Sequence, residues 1–292
     1  IFFAIKGHKF NGEKYIKEAI SKGATVVVCS KNCKFEHSKL TIIKTSDVRN
    51  LLSEICSKFF LIKPKTIIAV TGTNGKTSVA DLFYQILKLN NIPVGSIGTL
   101  GVKYNNIKVK SDLTSPDAIS LHKNLEKLKK KKIDNVIIEA SSHGIIQKRV
   151  HHLNLKAGIF TNFSQDHLDY HKTMTSYLRA KLQLFKNILP EKNFVITDKS
   201  IKEFSVIKNI SKKRKLCLID IEKIKEKLIK KKAFLKLNNF QIKNLSMAIA
   251  AAKLCNLTEK KIFNSLDKLK DVNGRLEHIK TFPNNIKVYV DF

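Results

Sequence analysis

Long apolar runs are scarce in this sequence of 292 residues. No segment approaches the roughly 18 uninterrupted apolar residues that a membrane span requires. The first residues also lack the charged segment, apolar segment and small-residue cleavage site that together mark a secretory signal peptide. These absences disfavour a membrane partner, and they predict a cytoplasmic protein.

Paired cysteines are scarce as well. The five cysteines are odd in number and form no CxxC pair, so the sequence indicates neither a disulfide framework nor a zinc site. We expect reduced thiols that are mostly buried as small apolar side chains. Their positions are Cys29, Cys33, Cys56, Cys217 and Cys255.

Acidic residues and arginine are few against the number of lysines, and the formal net charge is +31. A charge of this size is typical of proteins that bind nucleic acid, because clustered cations release counterions from phosphates. Here the lysines are scattered, and no aromatic-studded basic groove accompanies them. We therefore favour solvated surface lysines over the alternative of a basic nucleotide-binding protein associated with nucleic acid. Arginine occurs only at Arg49, Arg149, Arg179, Arg214 and Arg275.

Apolar segments with strand and helix patterns alternate along the chain, and 43% of the residues are hydrophobic. The length predicts about two domains. A small α/β unit comes first, and the segment LIKPK, in which Pro64 prevents helix continuation, forms a linker. Beyond it the alternation predicts a doubly wound, mostly parallel sheet. Segments with a helix pattern include residues 175–187 and 223–232, whereas residues 1–5 have a strand pattern.

The strongest local motif is TGTNGKTS, residues 71–78, which lies between a predicted buried strand and a predicted helix. Gly72 and Gly75 allow backbone N–H groups to turn toward phosphates at a helix N-terminus. Lys76 is placed to reach the β and γ phosphates, and the Thr77 hydroxyl is placed to bind Mg²⁺. The motif predicts that the chain binds a nucleoside triphosphate.

The same motif resembles the Mur ligase family, to which folylpolyglutamate synthetase also belongs. Three further segments narrow the resemblance to the MurE branch, the UDP-N-acetylmuramoyl-tripeptide synthetases. They are IEASSHGIIQKR at 138–149, TNFSQDHLDYHKT at 161–173 and YLRAKLQLF at 177–185. IKGHKFNG near the start and GRLE and VDF near the end extend it over essentially the whole chain, most weakly between 200 and 239.

The resemblance implies three domains, of which this chain would hold a part. Residues 1–62 would form part of an N-terminal domain that binds the UDP-linked substrate, and residues 63–276 the central ATP-binding domain. Residues 277–292 would begin a C-terminal Rossmann-like domain that binds the amino acid. We expect the chain by itself to bind magnesium nucleotide weakly without completing ligation.

The implied activity is ATP-dependent peptide-bond formation in bacterial peptidoglycan synthesis. The acceptor, UDP-N-acetylmuramoyl-L-alanyl-D-glutamate, would be activated as an acyl phosphate and then attacked by the amine of meso-diaminopimelate or L-lysine. A monomer that uses Mg²⁺ and ATP, with no specific nucleic-acid partner, is expected. Another Mur ligase or folylpolyglutamate synthetase is the alternative within the family.

The resemblance also implies site residues, and elementary chemistry gives reasons for some of them. Glu139 ends a buried strand at the carboxyl edge of the sheet, where ligands of open α/β folds bind. Lys181 lies beside the apolar helix face of Leu178, Leu182 and Phe185 and is expected to be partly buried. A deprotonated amine there could capture CO₂ and become an anionic carbamate. The expected metal ligands are Thr77, Glu139, His167 and carbamylated Lys181, and the expected catalytic residues are Lys76, Lys181, His167 and Glu139.

Two groups of binding residues complete these expectations. In the segment NxFQxxN from Asn238 to Asn244, the sequence departs from the family pattern GxFNxxN, so adenine binding is less firmly predicted than phosphate binding. The expected ATP-binding residues are Gly72, Thr73, Asn74, Gly75, Lys76, Thr77, Ser78, Asn244 and Arg275. The expected substrate-binding residues are His8, Lys9, Phe10, Thr114, Ser115, Ser141, Gln147 and Arg149.

Overall fold

The computed structural model describes residues 1–7, 10–110, 113–231, 237–275 and 277–291. The strands are β1 (Phe2–Phe3), β2 (Val26–Ser30), β3 (Thr41–Thr45), β4 (Thr66–Thr71), β5 (Val94–Gly98), β6 (Gly101–Tyr104), β7 (Ile107–Val109), β8 (Asn135–Glu139), β9 (Ala157–Phe160), β10 (Phe194–Thr197), β11 (Cys217–Asp220), β12 (Glu277–Thr281) and β13 (Lys287–Val290).

The helices alternate with these strands through most of the chain. The α-helices are α1 (Ile16–Ser21), α2 (Val48–Phe59), α3 (Lys76–Leu89), α4 (Ala118–Lys130), α5 (Ser142–Ile146), α6 (Leu168–His171), α7 (Met174–Gln183), α8 (Phe204–Lys213), α9 (Glu222–Ile229), α10 (Asn239–Lys253) and α11 (Glu259–Ser265). Short 3₁₀ helices lie at Gly12–Tyr15, Leu266–Lys268 and Pro283–Asn285, and a π-helical turn lies at Leu184–Ile188.

Eight of the described strands form one sheet in the order β11-β10-β9-β4-β8-β5-β6-β7. The strands from β11 to β5 pair in parallel, whereas β6 and β7 add an antiparallel edge. The predicted α/β class with a mostly parallel, doubly wound sheet is confirmed. The central position of β4 places the turn that follows it at the middle of the carboxyl edge, where such folds bind ligands.

The sequence of β4 explains why it lies at the centre. Its four central residues, 67–70, are apolar and buried on both faces of the sheet, as parallel strands covered by helices require. Ile68 and Val70 belong to the core shared with α3 and α10, whereas Ile67 and Ala69 belong to the core on the opposite face. The two-residue period of a strand thus divides one apolar run between two cores.

A separate sheet of parallel strands, in the order β1-β2-β3, precedes the large sheet, and β12 and β13 form an antiparallel pair after it. The helix α2 packs against α4, and the buried Ser53 hydroxyl donates to the carbonyl of His151 at 2.9 Å. These three sheets lie within 1–62, 63–276 and 277–292. The division of the chain into domains at those bounds stays a prediction.

Several elements differ from the sequence predictions. The first strand, predicted over 1–5, is limited to Phe2–Phe3, and the helix predicted over 175–187 is α7 followed by a π-helical turn. The helix predicted over 223–232 is described as α9, which ends at Ile229, and α8 and β11 were not predicted. Among the described helices, none has the length and apolar character needed to cross a membrane.

Candidate active site

The segment 71–78, which we call the phosphate-type turn, joins β4 to α3 and forms the base of the site. Gly72 has φ +146°, and a Cβ there would overlap the Thr161 hydroxyl, so the tight approach of the two chain segments requires glycine. The Thr161 hydroxyl itself donates to the carbonyl of Asn74 at 2.6 Å. Gly75 is the N-cap of α3, and the turn therefore presents the helix N-terminus to the cleft above it.

Two lysine amines meet at this turn. Lys76 Nζ donates to the carbonyl of Gly72 at 3.0 Å and to that of Thr73 at 2.7 Å. Lys181 Nζ, contributed by α7, donates to the same Gly72 carbonyl at 2.7 Å. Burial lowers the pKa of Lys76, whereas the nearby charge of Glu139 acts against that shift. The sequence analysis did not predict that these two amines share one carbonyl.

Lys181 is more deeply buried than the sequence predicted, since only 1% of it is exposed. Its amine lies 4.3 Å from the centre of the Tyr177 ring. Burial, reinforced by the positive charge of Lys76, lowers the pKa of Lys181 to about 6. At neutral pH the amine is therefore mostly uncharged, which is the form that reacts with CO₂. The uncharged amine is the chemical precondition for carbamylation. Carbamylation of Lys181 itself stays a prediction.

Glu139 lies at the end of β8, just behind the wall of the cleft. Its carboxylate accepts from the Thr77 hydroxyl at 3.0 Å, from the Thr99 backbone N–H at 2.8 Å and from the Thr99 hydroxyl at 3.1 Å. Burial raises the pKa of Glu139, while these hydrogen bonds and the charge of Lys76 oppose that increase. The predicted pair of oxygen ligands, Thr77 and Glu139, is thus brought into direct contact.

Gly98 leaves the space that the Glu139 carboxylate occupies, because a Cβ at Gly98 would overlap Glu139 Oε1. We expect Gly98→Ala to lower the free energy of unfolding by about 1–3 kcal/mol and to displace the carboxylate. Urea unfolding and Mn²⁺–ADP affinity measure the two effects. Gly95→Ala on the same strand is the control, since its Cβ would meet only ends of the Leu128 and Val136 side chains. Equal Mn²⁺–ADP affinity in the two variants would contradict this role of Gly98.

His167 lies across the cleft in the loop before α6, with φ +50°. Its Nε2 is 3.4 Å from Asp166 Oδ2, and its ring meets that of Tyr177 edge-on. The His171 ring lies deeper, where burial lowers its pKa to about 4, and its Nε2 is 2.9 Å from the Ser142 hydroxyl. His171 is therefore neutral near pH 7, and the exposed His167 is the more accessible of these two rings.

These groups surround a cleft of 1120 Å³ at the carboxyl edge of the large sheet. One wall is the phosphate-type turn, and another is formed by α10 and the segment after α11. Asn244 and Arg275, both predicted to hold nucleotide, line it, and Asn244 is buried against Gly75. The predicted residues that line the cleft are Thr73, Asn74, Gly75, Lys76, Thr77, Ser78, Thr114, Ser141, His167, Lys181, Asn244 and Arg275.

The predicted substrate residues divide into two groups. Thr114 and Ser141 line the cleft, whereas Ser115 is buried and its hydroxyl donates to the carbonyl of Glu139 at 2.7 Å. Ser115 Oγ also accepts from the Ser141 backbone N–H at 2.9 Å. In this arrangement Ser115 supports the site from behind, and its predicted contact with substrate stays a prediction.

A second cavity of 410 Å³ is lined by one further predicted substrate residue, Gln147. Gln147 lines this cavity together with Lys6 and Arg49 from the first part of the chain. Arg149 donates to the Gln147 side-chain oxygen and to the carbonyl of Ser115, both at 2.6 Å. The predicted residue Phe10 is exposed. His8 and Lys9 lie outside the described residues.

The unusual NxFQxxN segment begins α10 with a capping box. Asn238 Oδ1 accepts from the Gln241 backbone N–H at 2.8 Å, and Gln241 Oε1 accepts from the Asn238 backbone N–H at 3.0 Å. This reciprocal pairing satisfies two donors at the helix start. Asn238 and Gln241 are the two positions at which this sequence departs from the family pattern. They thus form a regular helix N-terminus at the cleft wall.

The cleft residues that were not predicted as site residues include Thr99, Ser142 and Asp291. Asp291 belongs to the VDF motif, so that motif was the available signal. Thr99 follows β5 at the carboxyl edge of the parallel sheet, a position that by itself favours a binding role. Ser142 lies within the SSHG segment of residues 141–144.

Comparisons with known proteins show which family this chain resembles. Residues 70–266 match the family model described as Mur ligase middle domain, and residues 1–60 match the model described as Mur ligase family, catalytic domain. UDP-N-acetylmuramoyl-L-alanyl-D-glutamate–2,6-diaminopimelate ligase of Rickettsia bellii is 35% identical, with 100% of this chain and 64% of the relative covered. The ligase of the same name from Zymomonas mobilis is 37% identical, with the same coverages.

Solved structures show similarity of fold. A structure of UDP-N-acetylmuramoyl-L-alanyl-D-glutamate–2,6-diaminopimelate ligase has a TM-score of 0.77 at 21% identity, covering 93% of this chain and 60% of that chain. MurF ligase from Thermotoga maritima, in complex with ADP, has a TM-score of 0.58 at 17% identity, covering 95% and 65%. The chain spans less than two thirds of the length of these relatives.

Proposed function

Because this chain belongs to the Mur ligase family, we propose that it is the ATP- and acceptor-binding part of a peptidoglycan precursor ligase. The reaction would join 2,6-diaminopimelate to UDP-N-acetylmuramoyl-L-alanyl-D-glutamate with hydrolysis of ATP to ADP. The observation that carries this proposal is the meeting of Lys76 and Lys181 at the Gly72 carbonyl, in a cleft also lined by Thr77. The names of the related ligases favour diaminopimelate over lysine.

The phosphate-type turn would hold the triphosphate. Backbone N–H groups at the start of α3 point toward the cleft, and the helix dipole favours negative charge there. Lys76, which lies in this turn, would neutralise charge that builds up on the transferred phosphoryl group. A carboxylate of the acceptor would attack that group in line, and ADP would leave, which gives an acyl phosphate. Attack by the amine then releases phosphate and forms the amide.

The residues around Thr77 fit a Mg²⁺ ion. Thr77 supplies a hydroxyl, Glu139 a carboxylate, and these hard oxygen donors already contact each other at 3.0 Å. Carbamylated Lys181 would add a further anionic oxygen, and His167 lines the same cleft. When bound, Mg²⁺ would supply charge neutralisation to the phosphates. The chain itself orients Glu139 and keeps the Lys181 amine uncharged at neutral pH.

The cavity lined by Lys6, Arg49 and Gln147 would hold part of the UDP-linked acceptor. It lies where the first part of the chain meets the C-terminal end of α5, and both arginine and lysine suit phosphate oxygens. Thr114 and Ser141, which line the cleft, would contact another part of the same acceptor. We propose a monomer in the bacterial cytoplasm, with no nucleic-acid partner.

The test of this function uses a protein that joins this chain to the remaining third of a relative such as the Zymomonas mobilis ligase. With ATP, Mg²⁺ and the UDP-linked dipeptide, mass spectrometry should detect the tripeptide when meso-diaminopimelate is added. L-lysine in its place is the comparison, and the ratio of the two products reports the selectivity of the grafted third, which binds the amino acid. Acceptor-independent ATP hydrolysis with no tripeptide from either diamino acid would contradict the proposal.

A further inference from the structure

The Glu139 carboxylate is connected to the far wall of the cleft through Thr99. Thr99 binds both carboxylate oxygens, with its backbone N–H on Oε1 and its hydroxyl on Oε2. The same hydroxyl is 3.1 Å from the hydroxyl of Thr114. Thr99 and Thr114 both line the cleft, whereas Glu139 is only 3% exposed behind it.

The direction of this chain of hydrogen bonds is fixed by what each group can donate. An ionised carboxylate only accepts, so the single hydroxyl proton of Thr99 goes to Glu139. The Thr99 oxygen can then only accept from Thr114, whose own proton is used in turn. Thr114 is left with lone pairs toward the cleft, which suits an N–H or O–H donor on the acceptor substrate and does not suit a carboxylate or phosphate.

We propose that Thr99 is a positioning residue that orients the Glu139 carboxylate for the metal ion, and that it links this carboxylate to the acceptor substrate through Thr114. This inference rests on the proposed function. It adds a residue to the metal site that is neither a ligand nor part of the phosphate-type turn. It also assigns Thr114 the role of a hydrogen-bond acceptor toward substrate.

Mn²⁺ binding in the presence of ADP tests the inference without relying on activity. Free Mn²⁺ is measured by electron paramagnetic resonance with the 292-residue chain. Thr99→Val keeps the shape and the backbone N–H but removes the hydroxyl, so we expect Mn²⁺ affinity to fall about tenfold, as loss of one hydrogen bond to a charged group gives. Thr99→Ser restores the hydroxyl and should bind within about twofold of wild type by the same reasoning.

Further variants separate positioning from general structural damage. Thr41→Val, in β3 and away from the cleft, is the matched control and should bind Mn²⁺ as wild type does. Because Thr114 acts through Thr99, Thr114→Val should weaken Mn²⁺ binding in the wild-type background and add nothing to Thr99→Val. The melting temperature of metal-free Thr99→Val should fall by no more than about 5 °C, since the buried carboxylate loses one donor and keeps the Thr77 hydroxyl and the backbone N–H at position 99, and Thr99→Ser should restore it.

The outcomes distinguish two failures. A wild-type chain that does not bind Mn²⁺ with ADP would overturn the proposed function and this inference with it. Normal wild-type binding that Thr99→Val leaves unchanged, or additive losses in the double variant, would overturn the inference alone. If Thr99→Val lowers Mn²⁺ affinity and Thr99→Ser does not restore it, the Thr99 hydroxyl does not position Glu139, and the inference is overturned.

Discussion

Replacing Lys76 by alanine is expected to reduce phosphoryl transfer in the joined ligase by about 100- to 1000-fold, the cost of losing one charge-stabilising donor. The amine lies at the phosphate-type turn, where it donates to the carbonyls of Gly72 and Thr73. Lys76→Arg should fail as well, because a planar guanidinium does not replace a compact ammonium in this confined turn. Acceptor-dependent release of ADP measures the rate.

Lys88→Ala is the matched control for this prediction, since Lys88 is an exposed lysine near the other end of the same helix. It should retain wild-type turnover. Nucleotide affinity measured on the 292-residue chain separates binding from chemistry, and Lys76→Ala should weaken it. Wild-type turnover in Lys76→Ala would show that the turn is only structural, and the assignment of the phosphate site would then be wrong.

Lys181→Ala is expected to reduce activity of the joined ligase by at least about 100-fold. Loss of a residue that only supports a metal ligand typically costs about 10- to 100-fold. The larger loss is expected because a carbamate on Lys181 would be an anionic ligand, whereas alanine supplies none. Activity should also fall as the pH drops through about 6, because the protonated amine cannot capture CO₂ and the pKa of Lys181 is lowered to about 6.

Dissolved CO₂ gives the sharper test of the carbamate. Removing CO₂ and bicarbonate from the wild-type enzyme should lower turnover, and adding bicarbonate should restore it. Lys186→Ala, which alters an exposed lysine just beyond α7, should respond to bicarbonate as wild type does. A wild-type enzyme indifferent to CO₂, together with a fully active Lys181→Ala, would refute the carbamate.

The sequence predicted the central part of the fold well because strong local signals coincide there. The apolar run of β4 followed by a glycine turn and Lys76 specifies strand, phosphate-type turn and helix within a few residues. Around residues 200–239 the signals are weak, and α8 and β11 were missed. The π-helical turn after α7 also escaped prediction, since helical periodicity does not distinguish it from a continuing α-helix.

The candidate site was predicted in its residue types more fully than in its contacts. Thr77, Glu139 and Lys181 were expected to act together, yet only the three-dimensional structure reveals that Lys181 and Lys76 share the Gly72 carbonyl. Thr99 was missed because its role depends on strand order, which places the end of β5 beside the end of β8. Ser115 was predicted to contact substrate, whereas in the structure its hydroxyl is directed inward to the carbonyl of Glu139.

An experimental structure of the chain would test directly whether this cleft is a magnesium nucleotide site of a ligase. Crystals would be grown near pH 7 with Mg²⁺, bicarbonate and a non-hydrolysable ATP analogue. We expect the phosphates at residues 73–78, the ion between Thr77 and Glu139, and a carbamate on Lys181. Nucleotide bound elsewhere, or phosphates at this turn with Thr77 and Glu139 away from any metal ion, would contradict the proposed nucleotide and metal site.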